Sequence, residues 1–394
     1  MNLTNLIEKL ASFEPNGAKV ISLYLNAAAN ETGREDYPVW LKKQFFEYSI
    51  QFENDSEKMS SYSEIEARIN NFLENEADKS ANGIAVFAAV GGDLFETVQL
   101  DEAFPNNRFF VFDRPHLFPL VRIVDQNPKY AVLWADTNKA DIYVFGGENT
   151  LNVETETNAK VEEIQNERTN RTKVGGWSQA RYQRHIENFH LQHAKETVEE
   201  LEKLMRNSKI EHLVLCGDET TIMPILRPQL SKETDEKVIA VLNMSQYASE
   251  DEIREKTHEA IGVQNSVKDK EAVERVINAA KSAAGMGTLG VEKTLAALSN
   301  GQVEELVLSS DFDAIKYNPK DVEQVLEDYA PGDDNSATDE LPQVQEPRQI
   351  ADELIIRALN SAAKIIFIED ESLLEEAGGV GAVLRYNINA TANG

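Results

Sequence analysis

Residues 130–243 change hydrophobic period part-way along, and few folds accommodate that change. Three short runs, YAVLWAD, ADIYVFGG and TLNVETE, read as strands of an antiparallel meander. From 178 to about 206 the spacing lengthens to that of a helix, with Tyr182, Ile186, Phe189, Val198, Leu201 and Met205 near one stripe. Strand EHLVLCG, a short helix and strand EKVIAVLN follow. A meander that passes into alternating helix and strand predicts a mixed sheet with helices packed on it.

Other units flank this one. Before it, AKVISLYLN (18–26), NGIAVFAAVGG and RFFVF read as strands. WLKKQFFEYSIQF and SEIEARINNFLENEA have helical spacing, the second with Ile65, Ile69, Phe72 and Leu73 on one face. The link between them, ENDSEKMSSYS, is polar, and Pro115, Pro119 and Pro128 punctuate the passage onward. After the middle unit, helices at 267–284 and 290–299 precede strand VEELVLSS (303–310). A helix at 348–361, strand AKIIFIED and the closing GGVGAVLRYNI complete an α/β sandwich. Residues 318–349 are acidic and rich in Pro and Gly, and most of them read as a surface loop. A chain of 394 residues exceeds one ordinary core, and the pattern divides it into domains at 1–125, 126–262 and 263–394.

Composition excludes several classes. Apolar content of 41% and charged content of 27% are those of a globular protein. The single cysteine, Cys216, permits no intramolecular disulfide and no cysteine-rich zinc site; within HLVLC it reads as a buried, inert thiol. The first residues lack a signal-peptide profile and no stretch is long enough to cross a bilayer, so a cytoplasmic protein without a membrane partner is expected. With 68 acidic against 39 basic residues the net charge is -29, which argues against indiscriminate binding to DNA or anionic lipid. The distribution of charge then says more than its sum.

Residues 168–185 reverse the balance: five are Lys or Arg and none is acidic. Arg168, Arg171 and Lys173 precede Gly175 and Gly176; Trp177, Ser178 and Gln179 follow; Arg181 and Arg184 lie one helical turn apart. Ser178 is expected as the N-cap, so the helix start would offer free N–H groups and a positive dipole end beside a loop at 168–178. That suits the gripping of a phosphate backbone at a tip. Gly-Gly pairs at 91–92, 146–147 and 378–379 lack such company and read as turns.

Competing chemistry fits less well. GWSQA loosely matches a nucleophile elbow around Ser178, but NERTNRTKV before it is no buried strand. His185, His190 and His193 lack a third ligand of sound geometry and the HExxH arrangement, so no metal is expected. Asp136 and Asp141 read as turn residues rather than nuclease ligands.

On these residues the chain resembles the archaeo-eukaryotic peptide-chain release factor and Pelota family. Its release factors carry Gly-Gly-Gln, then Ser and an Arg-containing helix. Gly175, Gly176, Ser178, Arg181 and Arg184 match, with Trp177 in the place of glutamine. VISLYLN with its paired helices and NGIAVF is similar to the family's N-terminal domain. ADELIIRAL, AKIIFIED and GGVGAVLRY are similar to its C-terminal domain. The wording GGWSQARYQRH resembles bacterial relatives, a ribosome hibernation factor among them. The resemblance implies an α/β multidomain protein: an N-terminal α+β domain, a central RNase H-like mixed-sheet domain with a Gly-Gly-Trp loop, and a C-terminal α/β sandwich of the RNA-binding ribosomal-protein type.

It further implies a tRNA-shaped occupant of the ribosomal A site. The first domain would face the decoding centre, the second the peptidyl-transferase centre, and the last a translational GTPase, elongation factor Tu in bacteria. The implied rRNA-binding residues are Arg168, Arg171, Lys173, Gly175, Gly176, Trp177, Ser178, Gln179, Arg181 and Arg184, with no cofactor. Trp177 has one N–H donor and no carbonyl acceptor, so it cannot reproduce the amide that places the attacking water. Its ring suits stacking on a base or filling an rRNA crevice. The link ENDSEKMSSYS contains no Asn-Ile-Lys-Ser codon-reading tetrapeptide, and the cysteine-containing recognition motif is absent from the first domain. The expectation is therefore a non-enzymatic hibernation factor, the alternative being rescue or termination by peptidyl-tRNA hydrolysis.

Overall fold

A computed structural model of the chain describes residues 3–14, 17–28, 37–52, 55–100, 103–145, 159–161, 176–245, 247–328 and 347–387, with side chains at 159–161, 176–187 and 250–251 left aside. In chain order the first part contains α1 (Leu3–Ala11), β1 (Val20–Asn26), α2 (Tyr37–Ser49), α3 (Ser56–Asn71), β2 (Gly83–Ala89), β3 (Phe95–Leu100), β4 (Arg108–Phe112) and α4 (Phe118–Gln126). Its sheet is antiparallel, in the order β3-β2-β1-β4. Strand β1 is central and buried on both faces until its last residue, as its continuous apolar run requires. Asp55 caps α3 by accepting from the Lys58 N–H at 3.1 Å.

The middle part contains β5 (Tyr130–Ala135), β6 (Ala140–Phe145), β7 (Ala159–Val161), α5 (Gly176–Asn207), β8 (His212–Gly217), α6 (Met223–Leu226), α7 (Lys232–Glu236), β9 (Val238–Asn243) and α8 (Glu250–Lys281). The sheet order is β7-β6-β5-β8-β9. Strands β7, β6 and β5 are antiparallel neighbours, whereas β5, β8 and β9 run parallel. This is the mixed sheet expected from the change of period. Ala194, Val198, Leu201 and Met205 of α5 pack on one sheet face with Leu133, Ile142 and Leu213. The expected strand TLNVETE lies outside the described residues.

The last part contains β10 (Gly287–Leu289), α9 (Val291–Ser299), β11 (Val303–Ser309), α10 (Pro319–Asp328), α11 (Pro347–Asn360), β12 (Lys364–Ile368) and β13 (Val380–Leu384). Its sheet, β10-β13-β11-β12, is also mixed: only β11 and β12 are parallel. The chain is thus a multidomain α/β fold with more than one mixed sheet.

Where the sequence reads three domains, the chain forms two compact units. One combines Met1–Gln126 with Lys268–Gly394, and the other is built from Asn127–Gly147 and Thr155–Val267. In the first unit, Leu6, Tyr24 and Phe118 share a single core with Leu295, Leu354 and Phe367. Phe118 and Phe367 meet edge to face, 5.1 Å between ring centroids. The His116 Nδ1 and the Asp352 carboxyl group are in buried hydrogen-bond contact, and Asp352 also accepts from the Leu117 and Phe118 N–H groups at 2.9 and 3.1 Å, satisfying the start of α4. Strand β12 is an edge strand, and two carboxylates cover its free side. Asp125 accepts from the Phe367 N–H at 2.8 Å and Asp269 from the Glu369 N–H at 3.1 Å.

Helix α8 runs unbroken from Glu250 to Lys281, across the expected boundary at 262/263. Ile253, Thr257 and Ile261 bury one stripe before it and Ala272, Val273 and Val276 another after it, while Gly262 meets open space. A solvent-facing glycine weakens a helix by about 1 kcal/mol without ending it. The segment 318–349 is also not loop throughout: Pro319–Asp328 is helical, with Val322 and Leu326 buried one turn apart and Asn318 accepting from the Lys320 N–H at 3.2 Å. Its residues 329–346 lie outside the described residues.

Candidate nucleic-acid interface

Helix α5 organises the candidate site. It is 32 residues long and opens at Gly176. The first of its described side chains to be buried is that of His193, roughly 26 Å along the helix axis from Gly176 at 1.5 Å per residue. Between them the helix contains Arg181 and Arg184 and no acid before Glu187. Three residues apart on a continuous helix, the two arginines occupy neighbouring positions on one face. The N–H groups of the first turn, which have no partner within the helix, and the positive end of the helix dipole add to their charge.

Trp177 and Gln179 fall within the first turn of α5. Ser178 does too, which corrects its reading as the N-cap: it is the third helical residue, and a capping residue must have non-helical backbone angles. Arg168, Arg171, Lys173 and Gly175 lie outside the described residues, as does the glycine pair at 146–147. The pairs at 91–92 and 378–379 do serve turns. Gly91 has φ +78°, and Gly378 and Gly379 have φ +67° and +80°.

The competing chemistries can be placed as well. His190 is half-buried beside the Phe189 ring, 6.3 Å between centroids, and His193 is buried. No group of three potential metal ligands occurs among the described residues. Asp136 accepts from the Asn138 and Lys139 N–H groups, both at 2.6 Å, which makes it a turn residue. Cys216 is fully buried, and burial pushes its thiol up to about 12. A thiol held protonated in this way is no nucleophile at neutral pH.

Three polar features escaped the sequence reading. Among the described residues, neither ring nitrogen of His193 nor the Thr197 hydroxyl, one turn later on the same buried face, has a hydrogen-bond partner. The spacing of the two residues was legible, but burial of that flank was not. Asp218, after β8, accepts from the N–H and hydroxyl of both Thr220 and Thr221 and is held down to about 2 by those bonds. The sequence DETT signals such a turn. An open groove lies beside it, lined by Met223, Pro224, Arg227, Leu230 and Val241.

Two parts of the chain match known family models. Residues 115–261 match the family model described as bacterial archaeo-eukaryotic release factor family 10, and residues 266–388 match eRF1 domain 3. Peptide chain release factor subunit 1 of Thermococcus kodakarensis is 23% identical over 294 residues, covering 68% of this chain and 69% of its own. The eukaryotic peptide chain release factor subunit 1 of Saccharomyces cerevisiae is 27% identical over 235 residues, with 55% and 54% covered. Among solved structures, a ribosome-bound archaeal Pelota aligns over 77% of this chain and 78% of its own at 13% identity and a TM-score of 0.41. The chain is a release-factor-like protein. Its matched regions are similar to bacterial and archaeo-eukaryotic release factors.

Proposed function

We propose that this chain is a non-enzymatic ribosome-binding factor that occupies the A site, from decoding centre to peptidyl-transferase centre, and keeps the ribosome idle, as in hibernation. One observation carries the reading: the position that holds glutamine in the family's release factors is Trp177, at the start of an acid-free, arginine-bearing helix end. An indole can anchor by stacking on a base but offers no acceptor for a hydrolytic water. In a chain of net charge -29 such a basic end is a focused contact for rRNA phosphates. The similarity to peptide chain release factors supports a ribosomal setting. The strand order β7-β6-β5-β8-β9, antiparallel then parallel, supports an RNase H-like central domain. The match to eRF1 domain 3 supports a last domain that engages a translational GTPase, with elongation factor Tu as the bacterial candidate. The same reading puts the protein in the cytoplasm, and no helix among the described residues is long and apolar enough to cross a membrane.

The test uses purified protein and ribosomes carrying labelled peptidyl-tRNA beside an empty A site. Co-sedimentation without peptide release is expected. Release above a protein-free control would replace this reading with rescue by peptidyl-tRNA hydrolysis. Failure to bind, with or without elongation factor Tu, would remove the ribosomal role.

A further inference from the structure

Helix α2 is apolar on two opposite faces, and among the described residues only one of them is packed against the fold. Tyr37, Leu41 and Phe45 are buried, Phe45 packing edge to face on Tyr62 and Phe109. Val39 and Phe46 point the other way and are 83% and 68% exposed, and Ile50, in the short 3-10 turn that continues the helix, is 48% exposed. At 100° per residue Val39, Phe46 and Ile50 fall within one narrow stripe, roughly 17 Å long at helical rise. Lys42 and Lys43 flank that stripe on either side and are both exposed. Lys43 reaches Glu47 at 3.5 Å across largely exposed side chains, a pairing worth little in water. Three large apolar side chains aligned on a surface helix cost solubility, and such a stripe marks a contact surface.

We infer that the outward face of α2 docks an amphipathic helix of a partner protein, whose apolar seam covers Val39, Phe46 and Ile50 and whose acidic flanks meet Lys42 and Lys43. The stripe has the form of a helix–helix seam, apolar positions about two and then one turn apart with charges at their sides. RNA fits it less well. A single strand needs a track of cations along its backbone and aromatic platforms for its bases, whereas this stripe offers one ring, two aliphatic side chains and two lysines. The exposed Lys42 and Lys43 give the stripe positive flanks in a chain of net charge -29, and acidic flanks on the partner are their complement. The inference does not depend on the ribosomal reading, and the two can fail separately.

The test measures binding of the full chain to three fluorescent probes by anisotropy. They are a 15-residue monomeric helical peptide with a leucine seam flanked by glutamates, the same peptide with lysines for glutamates, and a 12-nucleotide single-stranded RNA. The acidic peptide is expected to bind, and the double change Val39→Ser with Phe46→Ser to weaken it at least about tenfold, as for anchor residues at an interface. The charge reversal Lys42→Glu with Lys43→Glu is expected to transfer the preference to the basic peptide. All four positions are exposed, so unchanged thermal unfolding serves as the folding control. Tighter binding of the RNA, equal binding of both peptides, or binding unaffected by either double change would overturn the inference.

Discussion

His116 and Asp352 lie 236 residues apart in sequence, yet the histidine Nδ1 is 2.5 Å from the Asp352 carboxylate inside a shared core. Around the pair, the His116 N–H donates to Ser22 at 2.9 Å and the Tyr24 hydroxyl donates to the His116 carbonyl. Phe110 packs on the imidazole, 4.2 Å between centroids. One carboxylate on α11 therefore anchors the loop that starts α4 and ties the beginning of the chain to its end.

Truncation of Asp352 should be costly. Asp352→Ala strands the Leu117 and Phe118 N–H groups and His116 in a buried setting. A loss of about 3 kcal/mol or more is expected, since each buried polar group left without a partner costs about 1–3 kcal/mol. The urea midpoint of the unit built from both chain ends reports it, and a loss below about 1 kcal/mol would show that the network is dispensable.

Asp125 should make stability fall with rising pH. Burial, the largest influence, pushes its carboxyl from an ordinary 3.8 up to about 6. Between those values the folded chain holds a proton that the unfolded chain has released. Stabilisation from this group is therefore complete below about 4 and lost as pH rises through about 6. Asp125→Asn keeps an acceptor for the Phe367 N–H without the buried charge. The variant should exceed the parent by at most about 3 kcal/mol at pH 7.5, with the gap closing by pH 4. Thermal melts across that range decide the matter, and a gap that does not change with pH would contradict it.

Gly379 should resist substitution. It has φ +80°, and a Cβ there would sit 2.7 Å from the Ala314 carbonyl oxygen. Gly379→Ala combines a left-handed backbone with a backbone clash, and about 2–3 kcal/mol of destabilisation is expected. Gly301 has φ +65° with nothing within 4 Å, so Gly301→Ala should cost less, about 1 kcal/mol. Equal melting temperatures for the two variants would show that space is not the deciding factor.

Arg181→Ala with Arg184→Ala should weaken ribosome binding and flatten its salt dependence. Each lost phosphate contact lowers the slope of log affinity against log salt by nearly one, so a decrease of roughly 1–2 is expected. Sedimentation binding at several salt concentrations measures it, and an unchanged slope would mean that neither arginine meets a phosphate.

The helix that holds Trp177 to Arg184 was legible because it depends on neighbours in sequence. The helix after the glycine pair, its acid-free start and the spacing of Arg181 and Arg184 follow from local pattern, and α5 begins two residues before the expected Ser178. The burial of His193 and Thr197 was not legible, because a polar residue carries no periodic signal for the face it shares. The exposed stripe on α2 was hidden for a related reason. Apolar residues on both faces, Leu41 and Phe45 against Val39 and Phe46, blur the pattern that separates inside from outside.

Sequence by itself determined many of the elements and the mixed character of the middle sheet. The alternation that makes β5 and β6 and the helical spacing of α5 are properties of residues within a few positions of one another. Tertiary structure alone decided that the two ends of the chain close over one core, that Asp125 and Asp269 cover the edge of β12, and that α8 runs across an expected boundary. An apolar periodicity specifies which face must be covered, and many distant faces satisfy it equally. Which one does so depends on shape and hydrogen-bond complementarity between residues such as His116 and Asp352, which only the folded chain brings together.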